Sequence, residues 1–366
     1  MPRILVLHAN YQNRGGEDVV VEQELSLLKE LNEVEIFTTS NKKGISGAFQ
    51  TLLSPWNFII ANRIINRIKS FRPDVIHIHN LHYSIGPLII RRIKELNIPI
   101  VMTLHNYRLI CPSAVLSYKG EIYLKSLKED FPWSAIKDKV HNESFIKTFW
   151  LALTYWLHKK MGTWNLVNQY ILFSEFAKNN FLQSDIGINK EKFIVKANGI
   201  EDLSKTEEFK GIPKSNTLLY LGRLSEEKGI IQLIDGLVNT NFELKIAGDG
   251  PLLKQVKEKI LGQSNIQLLG SLDKSSVIRE MNSSTALILP SICYEGMPLS
   301  VLESFSLSNI ALVCDLGSLK SIVIDGYNGF RFNPNDKEDI QKTISKWLSL
   351  DEASKNKMKE NARRDF

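Results

Sequence analysis

The sequence predicts an α/β protein of two doubly wound domains in tandem, and two observations carry that expectation. Strand-length apolar runs alternate with amphipathic helical segments along most of the chain, the pattern of parallel sheets covered on both faces. The alternation also stops at a polar stretch after residue 200 and then begins again, in a chain of 366 residues that is long enough for two domains. The expected domains are 1–200 and 201–366, the first carrying an irregular insertion at about 112–166.

In the first half, residues 4–8, 34–38, 75–79, 98–104 and 170–174 read as strands, and 18–31, 58–71 and 85–96 as helices. A parallel sheet meets its ligands at the carboxyl ends of its strands. After the first strand, Gly15 and Gly16 precede a helix, where backbone N–H groups can approach an anion closely. The same pair also suits a plain turn. The spacing is not G-x-G-x-x-G, which disfavours a nicotinamide dehydrogenase.

His77 and His79 close the third strand on one face. A metal needs a further ligand, and Asp74, the nearest carboxylate in sequence, falls on the opposite face. No metal site is therefore expected. His105 lies at the end of the next strand, placed either to hydrogen-bond a sugar hydroxyl or forming glycosidic oxygen, or to serve as a structural histidine.

Residues 112–166 break the alternation and mix Phe131, Trp133, Phe145, Phe149, Trp150, Tyr155, Trp156 and Trp164 with lysines. That mixture suits a membrane interface or the cover of a lipid-linked acceptor, and equally a packed helical insertion. Arg63, Arg67, Lys69 and Arg72 on or just beyond the 57–71 helix favour an anionic surface. Charge agrees: residues 1–200 hold 25 Lys/Arg against 17 Asp/Glu, the remainder 21 against 23. Hydrophobic content of 43% and no apolar run near the roughly 20 residues of a membrane span describe a globular chain. The first strand is too short for a signal peptide, and three scattered cysteines form no disulfide framework. The expected location is cytoplasmic, peripheral at the inner face of the plasma membrane.

In the second half, residues 217–222 form a strand, and G-R-L-S-E-E-K-G (222–229) opens a helix with Arg223 and Lys228, two fixed cations suited to a leaving diphosphate. Residues 242–247 with G-D-G-P (248–251) repeat strand, turn and helix; 266–270, 286–289, 311–314 and 330–332 supply further strands. E-G-M-P-L-S-V-L-E (295–303) reads as loop into helix, Pro298 suiting the first turn. Glu295 would lie above the strand end and Glu303 about 7.5 Å along the helix, at about 1.5 Å per residue. The N–H groups between them form a phosphate site.

These segments, with D-G-Y-N-G (325–329) and the T-L-H (103–105) and Y-R-L-I-C-P (107–112) stretches, resemble the family 4 retaining glycosyltransferases of the GT-B fold over residues 3 to about 332. The resemblance implies two Rossmann-like domains facing across a cleft, the C-terminal one holding a nucleotide sugar and the N-terminal one an acceptor. It implies that Arg223 and Lys228 grip the diphosphate, that Glu303 binds the ribose, and that Glu295 with Gly296 and Met297 holds the sugar. Gly16 closes on the phosphates, His105 faces the sugar, and Gly15, Asn198, Gly222, Gly248, Pro298, Leu299 and Ser300 complete the substrate-binding set. Transfer with retention, without a metal or other cofactor, follows from the family and the missing Asp-x-Asp. A glycan on a lipid carrier is the expected acceptor, an anionic membrane the expected surface, and no nucleic acid a partner. The residues near Asp315 depart from the family's Gly-Gly with following Pro-Glu, and the C-terminal crossing helix is expected to be shortened or missing. The rival readings are a non-hydrolysing nucleotide-sugar epimerase, against which the Glu295–Glu303 spacing argues, and an inactive nucleotide-sugar-binding protein.

Overall fold

The computed structural model of the chain describes residues 1–12, 15–205 and 213–366; Asn13 and Arg14 of the Gly-Gly loop, and Glu207 and Glu208 of the expected linker, lie outside them. The chain divides into two compact units, Met1–Leu116 with Tyr123–Gly199, and Ile200–Phe366 with the short segment Ser117–Ile122.

The first unit runs β1 (Arg3–Asn10), α1 (Gly16–Leu31), β2 (Glu33–Ser40), α2 (Gly44–Leu53), α3 (Phe58–Phe71), β3 (Val75–Asn80), α4 (Leu88–Lys94) and β4 (Ile100–Thr103). The antiparallel hairpin β5 (Ser117–Tyr118) and β6 (Glu121–Ile122), which belongs with the second unit, interrupts it. Helices α5 (Trp133–Lys137) and α6 (Phe145–Lys160), β7 (Gln169–Leu172), α7 (Glu175–Gln183) and β8 (Phe193–Val195) complete it. Its six strands pair in parallel in the order β2-β1-β3-β4-β7-β8, the doubly wound arrangement with its reversal between β1 and β3. Leu5, Val6 and Leu7 of β1 are fully buried, which is why both faces of that strand are apolar.

Helix α3 follows its sequence pattern closely. Asn57 caps it, accepting from the Ile60 N–H at 3.2 Å, and Ala61, Ile64, Ile65 and Ile68 bury one stripe. Arg72, in the left-handed region at φ 52°, ends it ahead of Pro73. The expected helix over 85–96 forms only as α4, because Gly86 at φ 80° turns the chain before it. Helix α2 escapes sequence reading because it buries no residue: Ile45, Phe49 and Leu52 are exposed.

The aromatic insertion is mostly packed. Trp164 is 1% exposed and donates to the Tyr155 carbonyl, Trp150 Nε1 donates to the Thr51 carbonyl at 2.8 Å, and Lys159 lies between Asp130 and Asp185. The expectation that the stretch 145–164 as a whole meets lipid is therefore corrected: only its start, Phe145 and Ile146, and Met161 at the helix end leave large apolar side chains exposed.

The second unit runs β9 (Leu218–Leu221), α8 (Ile230–Leu237), β10 (Leu244–Ala247), α9 (Leu253–Lys259), β11 (Ile266–Gly270), α10 (Lys274–Ser283), β12 (Ala286–Leu289), α11 (Leu299–Ser306), β13 (Ile310–Cys314), α12 (Leu319–Ile322), β14 (Gly329–Phe332), α13 (Lys337–Leu348) and α14 (Glu352–Asp365). Its strand order, β11-β10-β9-β12-β13-β14, is that of dinucleotide-binding sheets, with the reversal between β9 and β12. The core centres on fully buried Leu218, Leu287, Ile288, Leu312 and Val313 with Phe305 and Trp347 over them. Helix α14 packs against α11, and the Arg363 guanidinium holds the Asp202 carboxylate through both Nη atoms at 2.9 and 2.7 Å. The last helix is thus tied to the start of its own unit.

Candidate active site

In the second unit, the segments after β9 and β12 meet where the strand order reverses, the place at which open parallel sheets bind ligands. Lys228 follows β9 and Glu295 follows β12; Lys228 Nζ donates to Glu295 Oε1 at 2.5 Å. Ser291 Oγ donates to the same oxygen at 2.7 Å, and Ser318 Oγ to the Glu295 carbonyl at 2.6 Å. Burial pushes the Glu295 carboxyl up, but the Lys228 charge and the two hydrogen bonds outweigh it and hold the net value below the ordinary range. For Lys228, burial works against the charge and Glu295 outweighs it, so the ammonium is held above its ordinary value. Both partners are ionised at neutral pH.

Two residues taken from the sequence as acting at different points of the donor are therefore one ion pair in this structure. Arg223 is the other basic residue, and its side chain is exposed. Its carbonyl accepts from the Tyr220 hydroxyl at 2.8 Å, which pins the loop that carries it. Gly222 and Gly248 follow adjacent strands, and at Gly248 glycine is required by geometry. A Cβ on Gly248, at φ 148°, would fall 1.9 Å from the Gly222 carbonyl oxygen.

Helix α11 starts at Leu299, with extended Pro298 at its N-cap. Pro298 thus precedes the first turn rather than joining it. No side chain caps the helix, and Val301 N–H already bonds the Pro298 carbonyl at 3.2 Å, so the N–H groups of Leu299 and Ser300 head the helix. Gly296 and Met297 bridge from Glu295 to this helix start. Glu303 lies one turn further on, half-buried, and no hydrogen bond to its carboxylate occurs among the described residues. Burial pushes its carboxyl up, partly offset by Lys274.

In the first unit, Gly15 caps α1, its N–H donating to Asp18 Oδ2 at 2.8 Å, and Asp18 also bonds His8 Nε2 at 2.9 Å. A Cβ at Gly15 or Gly16 would meet nothing within 4 Å among the described residues, and neither has positive φ. The fold of the unit does not demand glycine there. Asn198 lies in the segment leaving β8. His105 bonds His79 (Nε2 to Nδ1, 2.9 Å) and packs on Phe173 with ring centroids 5.2 Å apart. Burial, then the neighbouring His8 and His77, push its imidazole down to about 3, so it acts as a neutral hydrogen-bonding group.

The structure adds residues that the sequence reading passed over. Tyr11 donates to Glu17 Oε2 at 3.0 Å, and Asn106 Nδ2 lies within 3.3 and 3.4 Å of the two. Glu17 Oε1 is buried without a hydrogen-bond partner among the described residues, and burial pushes the carboxyl up to about 8. Arg108 reaches His82 Nε2 at 3.0 Å. Beside it a cavity opens, lined by Arg108, Cys111, Asp130, Tyr155, Trp156 and Lys159 among others. Only the run of polar residues after each strand signalled this cluster. The third ligand sought at Asp74 is not there, since Asp74 Oδ2 accepts from the Arg3 N–H at 2.7 Å; Glu24 of α1 stands by His77 and His79 instead.

The Lys228–Glu295 pair, the uncapped start of α11 and Glu303 thus lie where the strand order of the second unit reverses, and the two parallel-sheet units are those of the GT-B class. The chain belongs to the Glycosyltransferase Family 4, whose model matches residues 14–202, followed by the Glycosyl transferases group 1 model over 202–365. It is 31% identical over 139 residues to an uncharacterized glycosyltransferase of Methanocaldococcus jannaschii, covering 37% of this chain and 39% of that one. It is 25% identical to the sulfoquinovosyl transferase of Arabidopsis thaliana, over 78% of this chain and 52% of that one. The chain thus spans less than two thirds of the length of these relatives. Among solved structures it resembles Anabaena HepE in complex with UDP and glucose, with a TM-score of 0.64, 18% identity and coverage of 100% and 94% of the two chains. It also resembles the sucrose-phosphate synthase of Thermosynechococcus elongatus, with a TM-score of 0.72, 14% identity and the same coverage. These likenesses establish the fold.

Proposed function

We propose that the chain transfers a sugar from a nucleoside-diphosphate sugar to a glycan on a lipid carrier, with retention of anomeric configuration. The reading rests on the Lys228–Glu295 pair set beside the bare start of α11. As the bond from the anomeric carbon to the diphosphate breaks, negative charge grows on the leaving phosphate. Arg223, Lys228 and the N–H groups of Leu299 and Ser300 are fixed donors for it, so positioning and charge stabilisation carry the rate. The acceptor hydroxyl attacks from the face the diphosphate leaves and passes its proton to a leaving-group oxygen. Glu295 holds the sugar and Glu303 the ribose hydroxyls, and neutral His105 of the first unit is a hydrogen-bonding group for substrate. Mg²⁺ or Mn²⁺ is not needed, because the two basic side chains meet the diphosphate.

UDP is the leading nucleotide, because the structurally similar HepE is solved with UDP. A glycan acceptor for surface polysaccharide is favoured by the likeness to the amylovoran biosynthesis glycosyltransferase of Erwinia amylovora, 31% identical over 31% of this chain and 34% of that one. The cavity beside Arg108 and Lys159 is a candidate seat for the acceptor's anionic linkage. Association with the inner face of the plasma membrane is supported by the exposed apolar side chains of α2 and α3; no helix among the described residues is long and apolar enough to cross a membrane.

A thermal-shift panel of UDP, GDP, dTDP and ADP is the first test, since a nucleotide at 100 times its Kd stabilises by about 2.7 kcal/mol. The matching sugar nucleotide, incubated with polyprenyl-diphosphate glycans, should then yield a product whose anomeric configuration by NMR equals the donor's. Inverted product, or interconversion of the sugar nucleotide without any acceptor, would reject the proposal.

A further inference from the structure

Three side chains meet in the first unit that sugar transfer does not use. His77 and His79 project from the same face of β3, and Glu24 reaches them from α1. One donor atom from each lies within 4.8 Å of the others. His77 Nδ1 stands 3.7 Å from Glu24 Oε1, and His79 Nε2 stands 3.8 Å from Oε2. These distances are too long for hydrogen bonds. Donor atoms about 2.0–2.2 Å from one ion in tetrahedral array lie about 3.3–3.6 Å apart, so a set whose members lie within 4.8 Å of one another closes around a cation with side-chain shifts of about an ångström.

The outer nitrogens of both rings are already held. His77 Nε2 bonds Thr103 Oγ1 at 2.8 Å, and His79 Nδ1 bonds His105 Nε2 at 2.9 Å. Partners of this kind fix ring orientation in metal sites and turn the remaining nitrogen toward the ion. The His79 side chain is closed to solvent at 1% exposure, whereas Glu24 keeps 19%, which leaves an entry path and room for water on the carboxylate side. Lys196 is the competitor, its Nζ 3.8 Å from Glu24 Oε1 on a largely exposed side chain that is free to swing away.

We infer that Glu24, His77 and His79 bind a borderline divalent cation of the Zn²⁺ class, with water completing the shell. Two imidazoles and one carboxylate suit Zn²⁺, Co²⁺ or Ni²⁺, whereas Mg²⁺ and Ca²⁺ prefer oxygen ligands throughout. The ion is distant in role from the diphosphate. It sets a tautomer: with the metal on His79 Nε2, the proton sits on Nδ1 and is donated to His105 Nε2, which leaves His105 its own proton on Nδ1. His79 and the ion are then positioning groups for His105. That consequence rests on the role proposed for His105; the binding site itself does not.

The test uses the full chain, stripped with chelator and titrated with Zn²⁺ alone by calorimetry. One equivalent should bind and raise Tm, and Co²⁺ should give visible d–d absorption. Glu24→Gln, at a partly exposed position and with its fold checked by circular dichroism, should weaken Zn²⁺ binding at least tenfold. His77→Gln should do the same, Lys196→Ala should tighten it, and Asp74→Asn should leave it unchanged. No stoichiometric binding in either the unaltered or the Lys196→Ala protein overturns the site. So does binding that Glu24→Gln and His77→Gln both leave intact, because other histidines or cysteines would then be the ligands.

Discussion

Lys228 Nζ stands 2.5 Å from Glu295 Oε1, and Ser291 Oγ donates to that same carboxylate oxygen at 2.7 Å. The side chains are 29% and 14% exposed, so each charge has given up much of its water and depends on the other. Removing one partner of a desolvated pair leaves the other uncompensated, whereas removing both is milder. Lys228→Met and Glu295→Gln should each destabilise the protein by about 1–3 kcal/mol, with the double variant well short of their sum. Urea unfolding of the four proteins measures this. Additive losses would mean that the pair is not coupled.

Activity should follow a different rule. Lys228→Met removes a charge that faces the growing negative charge of the leaving group and should cut kcat by about 10² or more, as should Arg223→Ala. Steady-state kinetics at saturating donor decide it. Near-full kcat in both variants would remove the phosphate grip from these residues.

Glu303 and Glu295 should separate in nucleotide binding. Among the described residues no hydrogen bond reaches the Glu303 carboxylate, whereas Glu295 is engaged by Lys228 and Ser291. Glu303→Gln should weaken UDP binding in calorimetry by about tenfold, roughly 1.4 kcal/mol. Burial raises the Glu303 carboxyl, so its proton returns at a higher pH than an ordinary glutamate's. UDP affinity should accordingly fall as pH is lowered, and that fall should be absent in Glu303→Gln. Equal losses in Glu295→Gln and Glu303→Gln would reject the division of roles.

Arg223, Lys228 and Glu295 were legible because each lies in a segment that follows a strand whose apolar run is unmistakable, and Glu303 because helical spacing from Pro298 places it one turn into α11. Their partnership was not. Whether Lys228 reaches Glu295 depends on β9 and β12 being neighbours, a matter of strand order that no local pattern encodes. Glu24 illustrates the same limit: it lies more than fifty residues from His77, and only the packing of α1 brings it there. Helix α2 was missed for a different reason. Its apolar residues face outward, so its pattern reflects no core.

Glu17 gives a stability prediction with a definite sign. Its carboxyl is raised from 4.5 to about 8, burial being the largest cause, so the folded chain holds that proton more tightly than the unfolded one. The associated stability is fully present below about pH 4.5 and is lost as pH rises through about 8. Between pH 6 and 9 Tm should fall, and Glu17→Gln, which buries no charge, should flatten that fall. Parallel Tm profiles for the two proteins would show that Glu17 is an ordinary surface glutamate.

The diphosphate prediction concerns hard cations alone. With Arg223 and Lys228 as its counter-charges, the transfer rate should not change across a titration with Mg²⁺ or Mn²⁺. A saturable rise in kcat with either ion would place a metal at the diphosphate. Zn²⁺ at Glu24, His77 and His79 is a separate matter, read out by binding.

The proposed membrane face is narrower than the aromatic insertion as a whole. Trp150 of α6 is hydrogen-bonded to the Thr51 carbonyl of α2, so α2 and the start of α6 belong to one region of the first unit. That region exposes Ile45, Phe49 and Leu52 of α2, Phe58 and Ile59 of α3, and Phe145 and Ile146 of α6. Contiguous exposed apolar surface is what an interaction site requires, and these seven side chains are the ones the proposal assigns to it. Helix α3 adds exposed Arg63, Arg67 and Lys69, with Arg72 at its end, although Arg67 also bonds Glu35 at 2.6 Å. Each free cation near an anionic surface contributes about 1 kcal/mol, and the attraction fades as the Debye length shrinks from about 10 Å at 0.1 M salt to about 3 Å at 1 M. Inserted side chains contribute a part that salt does not screen. Co-sedimentation with phosphatidylglycerol liposomes should therefore fall, but not vanish, between 0.1 and 1 M salt. The double variant Ile45→Ser, Phe49→Ser should remove the salt-resistant part, and Arg63→Glu, Lys69→Glu the salt-sensitive part. Absence of binding at low salt, or binding indifferent to both double variants, would remove this face from the proposal and leave the acceptor free of a lipid surface.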